Sequence, residues 1–368
     1  MTRTNPTHDS ATTAAEIHKY DPFARGPFPV GVRTIQIRDE SRDRLFPCEI
    51  WYPAAARHTN QDLAPATQDA STVPSRDTPL RQAAVRDASP QPGLYPLILF
   101  SHHSGGHRRA ATFLCTHLSS HGYLVAAPDH SEVIAPELMR KSEGTSEQTA
   151  ARIQAVIASR VPDIRFLLDG LLAERSWRSQ AAIDPSCIGI VGHSFGGWTA
   201  LATPEADLRI RAVVALAPGG ASNPRPGILP VTLTFAWNRD VPTLYLVAEN
   251  DVSLPLAGMY EIFERTPATK RMFILHRADH LHFIDNVEHE HEKVRAMQWP
   301  PALAWIQKEM KPVAELCSGE QAHLFIRGLT LCHTDAFLKH NDSARRFLAG
   351  NIEAELASRS LSATAYRP

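Results

Sequence analysis

The chain has 368 residues, 43% of them hydrophobic and 21% charged, an ordinary globular balance that permits a sizeable core in one large domain. Its net charge is -1, its pI is near 7.0 and its basic residues form no stripe, which argues against a nucleic-acid partner or an anionic membrane surface. No run approaches the roughly 18 apolar residues of a membrane span, and "MTRTNPTHDSATTAAEIHKY" lacks the apolar core of a secretory signal, so cytoplasmic residence is expected.

Residues 1–20 read as a loose N-terminal arm. Two strand candidates follow, "RTIQIRD" (33–39) and "PCEIWYP" (47–53), which alternate apolar and polar residues as half-exposed antiparallel strands do. Residues 54–93, rich in Ala, Pro, Asp, Ser, Thr and Gln, far exceed an ordinary connection. They read as a flexible surface insertion, with a lid as the alternative. Six nearly continuous apolar runs come next, at 95–101, 123–129, 187–193, 212–218, 243–249 and 271–276, as in a parallel sheet covered on both faces. Helical stretches alternate with them. The longest, from Ser146, is predicted to break near Val161-Pro162.

This alternation predicts an α/β fold: a mostly parallel, eight-stranded, doubly wound sheet over residues 21–310, with an antiparallel N-terminal hairpin. A C-terminal helical extension, 311–368, is expected to pack on the same domain, as a cap or as the face of a homodimer. The five cysteines form no C-x-x-C pair, and their odd number suits reduced, mostly buried thiols.

The fifth strand runs into "IGIVGHSFGGWTAL" (188–201). A serine between glycines, after a strand and before a helix, is the pattern of a nucleophile elbow: a sharp turn holds the hydroxyl above the sheet. Ser194 is therefore the candidate nucleophile. The N–H of Phe195, at the helix N-terminus, points where an oxyanion would develop. A nucleophilic serine needs a base, and the base an orienting acid, both from C-terminal ends of neighbouring strands. Asp251, in "VAENDVSLP" after the seventh strand, is the candidate acid, with Glu249 and Asp279 as rivals. His280, in "LHRADHLHF" after the eighth, is the candidate base, with His276 and His282 as rivals. The second oxyanion donor is expected from "SHHSGGHRR" after the third strand, at the backbone N–H of Ser104. A plain glycine-rich lead into a helix is the other reading. His103 beside that loop and Trp198 after the elbow are candidate substrate-binding residues, although Trp198 also suits simple packing of its helix. "HRRAA" (107–111) reads as the polar start of a helix, with steering of an anionic substrate as the alternative. The histidines of "HLHFIDNVEHEHEK" read as a solvated face, so no metal and no other cofactor is expected.

With these motifs in place, the sequence resembles the α/β-hydrolase superfamily. More narrowly it is similar to the dienelactone-hydrolase-related group that includes platelet-activating-factor acetylhydrolases and cutinase-like polyester hydrolases. The resemblance runs through "GPFPVGVRTIQIRD", "YPLILFSHHSGGHRR", "LSSHGYLVAAPDH", "GHSFGGW", "VPTLYLVAENDVSLP" and "ADHLHF", about residues 25–285 without the insertion. It implies Ser194 as nucleophile, Asp251 as acid, His280 as base, and Ser104 and Phe195 as oxyanion donors. Three departures stand out. Dienelactone hydrolases use cysteine where this chain has serine. His103 replaces a glycine common in the family. Ser104 and Pro218-Gly219-Gly220 stand where polyester hydrolases carry aromatic residues. The expected activity is cleavage of small or medium-sized carboxylic esters through an acyl-enzyme. The alternatives are an amidase or thioesterase with the same triad, or a non-catalytic ligand-binding protein.

Overall fold

The computed structural model describes residues 20–71, 79–139, 144–174 and 181–367. The expected N-terminal arm, up to residue 19, and residues 72–78 of the insertion lie outside the described residues. The chain starts with the hairpin: β1 (Val30–Asp39) and β2 (Arg44–Pro53) pair antiparallel from Val30↔Pro53 to Asp39↔Arg44. The turn between them closes on Asp39, whose Oδ1 accepts hydrogen bonds from the Ser41 N–H and hydroxyl at 3.0 and 2.6 Å.

Then follow β3 (Gly93–Ser101), α1 (Thr112–Ser120), β4 (Leu124–Pro128), α2 (Ser131–Ile134), α3 (Ser146–Ala173), β5 (Ala181–His193), α4 (Phe195–Ala206), β6 (Ile210–Leu216), β7 (Thr243–Ala248), α5 (Leu256–Arg265) and β8 (Lys270–Leu275). The C-terminal part holds α6 (Val287–Ala296), α7 (Ala304–Glu309), α8 (Gly319–Phe337), α9 (Asp342–Ala349), α10 (Ile352–Ala357) and β9 (Ala363–Tyr366).

All eight expected strands join one sheet, which has ten strands instead of eight: the order is β9-β8-β7-β6-β5-β3-β4-β2-β1, where β9 is an added edge, and a two-residue strand, Val85–Arg86, extends it beside β1. The central strands are parallel, while β2 meets β4, and β9 meets β8, antiparallel. Strand periodicity divides the core in two. Leu97, Leu99, Ile190, Val213, Ala215, Tyr245 and Val247 face α3, α4 and α5. Their neighbours Ile98, Phe100, Val191, Val214, Leu216, Leu244 and Leu246 face α1, α8 and α10. Side chains that alternate across a strand thus supply both buried faces.

Four expectations are corrected. The described part of 54–93 is not a loose insertion but a folded flap over the sheet edge. The buried Asp62 carboxylate accepts from Val30 N–H at 2.8 Å and pairs with Arg25. Buried Asp69 pairs with Arg86 at 2.8 Å, and Gln82 accepts from the indole N–H of the fully buried Trp51 at 2.6 Å. The polar residues that read as solvated find internal partners in one another and in Arg25, β1 and β2, and β2 is buried on both faces from Cys48 onward instead of half exposed. The helix expected to break at Pro162 continues through it, because Arg160, Asp163, Ile164, Leu167 and Leu168 anchor its buried face on both sides of the proline. The histidines after β8 are not all solvated: His282 and His291 are fully buried. Among the described residues the five cysteines are free, with Cys48, Cys115 and Cys332 buried.

Candidate active site

Ser194 sits between β5 and α4 at φ 60°, ψ −115°, a conformation that costs an L-residue of order 1–3 kcal/mol. The surroundings over-determine it. Its N–H donates to the Leu216 carbonyl at 2.9 Å, and its own carbonyl accepts from Trp198 and Gly219 N–H at 3.0 Å each. The flanking glycines are a requirement of space: a Cβ on Gly192 would lie 2.0 Å from the Gly196 carbonyl oxygen, and one on Gly196 would lie 2.0 Å from that of Ser101.

His280 opens a one-turn 3-10 helix, His280–Phe283, after β8. Its Nε2 lies 2.8 Å from Ser194 Oγ and its Nδ1 lies 2.6 Å from Asp251 Oδ2. The other carboxylate oxygen of Asp251 accepts from Ser253 and Leu254 N–H at 2.9 and 2.8 Å, which fixes the acid in the turn after β7. This geometry gives His280 an Nδ1–H donor toward Asp251 and leaves Nε2 to face the serine. Burial by itself would lower the imidazole pKa; the Asp251 carboxylate overcomes this and raises it above 6.5.

The rivals are engaged elsewhere. Glu249 is exposed and accepts from Arg277 N–H at 2.9 Å. His276 bonds Thr364 on β9 at 3.0 Å. The Asp279 carboxylate lies 2.8 Å from both His282 Nδ1 and His291 Nε2. Against burial, the bonds to Asp279 and Cys317 raise the His282 pKa to about 10; its Nε2 lies 3.0 Å from the Cys317 carbonyl. Arg108 and Arg109 steer nothing at this site: both pair with the fully buried Glu49, and Arg108 also pairs with Asp129.

Ser194 and His280 open onto a cavity of about 400 Å³, which His103, Ser104 and Phe195 also line. Trp198 is not among the lining residues. It is buried behind the site, its indole N–H donating to the Thr232 carbonyl at 2.7 Å and its ring stacked 5.4 Å from that of Phe195. Among the described residues the walls come from the loops after β6 (Ile228, Leu229, Val231), β7 (Val252, Leu254) and β8, and none comes from the loop after β4. A roof over the cavity is built by 294–310, with Val294, Met297, Trp299, Leu303, Ile306 and Met310 turned inward.

Two neighbours of the site escape sequence reasoning. His193, the residue before the serine, is fully buried; its ring lies 4.7 Å from that of His280 and 5.4 Å from those of His103 and Phe283. Burial holds its pKa far below the usual value, so it is a neutral platform for the His280 ring. Arg160, on α3, is fully buried against the loop that carries Ser104. The signal for it was an arginine on the apolar stripe Val156, Ile164, Leu167, Leu171 of an amphipathic helix.

Residues 62–247, half of the chain, match the family described as chlorophyllase. Two platelet-activating factor acetylhydrolases are similar. That of Cavia porcellus is 23% identical over 227 residues, covering 52% of this chain and 48% of that protein. That of Gallus gallus is 26% identical over 172 residues, covering 36% and 41%. The chain thus spans about half, or less, of the length of these curated relatives. The solved structure of a ferulic acid esterase from Streptomyces cinnamoneus superposes with a TM-score of 0.63 at 24% identity, covering 92% of this chain and 97% of that one, a likeness of fold. The doubly wound sheet, the serine at its strand-to-helix elbow and the match over half of its length together make this chain a member of the chlorophyllase family, with the α/β-hydrolase fold.

Proposed function

We propose that the protein is a serine esterase that cleaves uncharged carboxylic esters of small or medium size. The observation that carries the reading is the unbroken chain of contacts from Asp251 through His280 to Ser194 at the floor of an apolar cavity. The names of the similar proteins, acetylhydrolase and esterase, support the same chemistry. Ser194 Oγ attacks the ester carbonyl while His280 Nε2 takes its proton. Asp251 keeps the imidazole in the required tautomer and stabilises the imidazolium. The N–H groups of Ser104 and Phe195 receive the oxyanion, each worth about 3 kcal/mol. Protonated His280 then gives its proton to the departing alcohol, and a water molecule repeats the sequence on the acyl-enzyme. No arginine or lysine lines the cavity among the described residues, which supports neutral substituents on the substrate. Cytoplasmic residence belongs to the same proposal and is supported by five unpaired cysteines. Among the described residues no helix is long and apolar enough to cross a membrane.

The test is turnover of short p-nitrophenyl esters and labelling by a fluorophosphonate. Ser194→Ala and His280→Ala are each expected to lose on the order of 10⁴-fold or more in kcat with folding retained, and Ser194→Ala to lose the label. Ester turnover that survives in Ser194→Ala overturns the reading, and amide or thioester substrates turned over faster than esters would reassign the leaving group.

A further inference from the structure

We propose that Arg160 is a positioning residue that aims both oxyanion donors, Ser104 N–H and Phe195 N–H, from behind the site. The proposal rests on the esterase reading. Arg160 is fully buried in the middle of α3, and its guanidinium touches both sides of the oxyanion pocket. Nη1 donates to the His102 carbonyl at 2.7 Å and to Ser101 Oγ at 3.3 Å. Nη2 donates to the His103 carbonyl at 3.4 Å. The guanidinium lies over the Phe195 ring, with Cζ 4.2 Å from the ring centroid.

The His103 contact decides where Ser104 N–H points. That N–H and the His103 carbonyl belong to one planar trans peptide, in which C=O and N–H are directed oppositely. Three donors hold the carbonyl: Arg160 Nη2, Gly106 N–H at 3.0 Å and His102 Nδ1 at 2.7 Å. With the carbonyl held toward Arg160, the Ser104 N–H must face the other way. On the far side, Phe195 directly follows the nucleophile, and its ring is held between Arg160 and Trp198. One rigid cation therefore couples two loops that are far apart in sequence.

A buried guanidinium is costly unless its charge is answered. Arg160 Nη2 pairs with Glu132. Ser101, its other partner, bonds His130 Nε2 at 2.9 Å, and His130 Nδ1 lies 3.2 Å from the buried Asp163 carboxylate. Arg42 and Ser131 hold that carboxylate at 2.6 and 2.7 Å. This relay of serine, histidine and aspartate has the residue types of a catalytic triad, but all three are buried. Its role here is to set the orientation of the arginine and the loop.

The test compares wild type, Arg160→Met and Arg160→Lys, each first shown to melt cooperatively. Arg160→Met is expected to lower kcat on a short p-nitrophenyl ester by about 10²-fold, the scale of one lost oxyanion donor, with KM within a factor of about three. Affinity for a trifluoromethyl ketone, which forms a tetrahedral oxyanion on the serine, should fall in parallel with kcat/KM. The pH at which the His280 limb is half-developed should not move. Arg160→Lys should recover part of the loss. If Arg160→Met does not fold, Arg160→Lys and Glu132→Gln, which releases Nη2, carry the same comparison. Folded variants with wild-type kcat, or with a lower kcat but unchanged ketone affinity, overturn the proposal. Failure of the esterase reading is seen separately, as ester turnover that persists in Ser194→Ala.

Discussion

The strained backbone of Ser194 is held by three backbone hydrogen bonds and two glycines, and its hydroxyl meets a histidine whose pKa is raised against burial chiefly by the Asp251 carboxylate. The sign of the pH dependence follows. In the proposed mechanism the neutral imidazole is the base, so activity is expected to appear as His280 loses its proton. Asp251 raises that pKa, so the acidic limb of kcat/KM should be half-developed above pH 6.5. Asp251→Asn should move that midpoint down and reduce kcat by about 10⁴-fold, because the imidazole then settles in the wrong tautomer. A pH series of initial rates on both proteins checks this. The elbow was readable from "GHSFGG" because its geometry depends on residues adjacent in the chain. His193 was not readable as a platform, since its role comes from the rings of His103, His280 and Phe283 closing around it.

Short elements decide how the site is framed. The 3-10 turn that presents His280 is pinned by Asp279 between His282 and His291. His282 is raised from 6.5 to about 10, so its contribution to stability is complete below pH 6.5 and is lost as the pH rises through about 10. The thermal midpoint of the wild type should therefore decline over that interval, and the decline should be smaller in His282→Gln. The roof, 294–310, is latched by Arg225. Its guanidinium pairs with Glu309 at 2.6 and 2.7 Å, lies 3.6 Å over the Trp305 ring and donates to the Val252 carbonyl at 3.1 Å. Trp299 and Met310 face the cavity from this roof. Trp299→Ala should lower kcat/KM for a hexanoyl or octanoyl ester by about 10-fold, the scale of one or two lost apolar contacts, and leave the acetyl ester nearly unchanged. A series of p-nitrophenyl esters of graded acyl length reads this out. The roof was illegible in the sequence because "MQWPPALAWIQKEM" reads only as an amphipathic helix, and which surface it covers depends on the loops after β6 and β7.

At the scale of the whole molecule, the C-terminal extension is a layer of the sandwich. α8 begins at a capping box, in which Ser318 Oγ accepts from Gln321 N–H at 3.2 Å, and it buries Phe325, Ile326 and Leu329 against the sheet face shared with α1. β9 adds an antiparallel edge to β8, and Tyr366 stacks on Tyr260 of α5 at 4.4 Å. Truncation after residue 310 would expose Val214, Leu216, Leu244 and Leu246 on the sheet face. The truncated chain is expected to be insoluble or to lose its cooperative melting transition, measured by solubility and calorimetry.

Residue order alone determined the eight strands, the two-faced apolar pattern of the last six and the serine elbow, together with the two loops that carry an acid and a histidine. Each of these depends on periodicity, or on glycines beside the residue they serve, and such information lies within a few positions of the chain. Tertiary structure decided what depends on partners distant in sequence. Asp62, Asp69 and Gln82 turned a polar stretch into a folded flap. A proline stayed inside a helix because that helix is anchored on both sides of it. Arg160 came to lie between the loop that carries Ser104 and the first residue of α4. A charged or polar residue costs free energy to bury unless a particular partner meets it, and only the folded chain shows which partner that is.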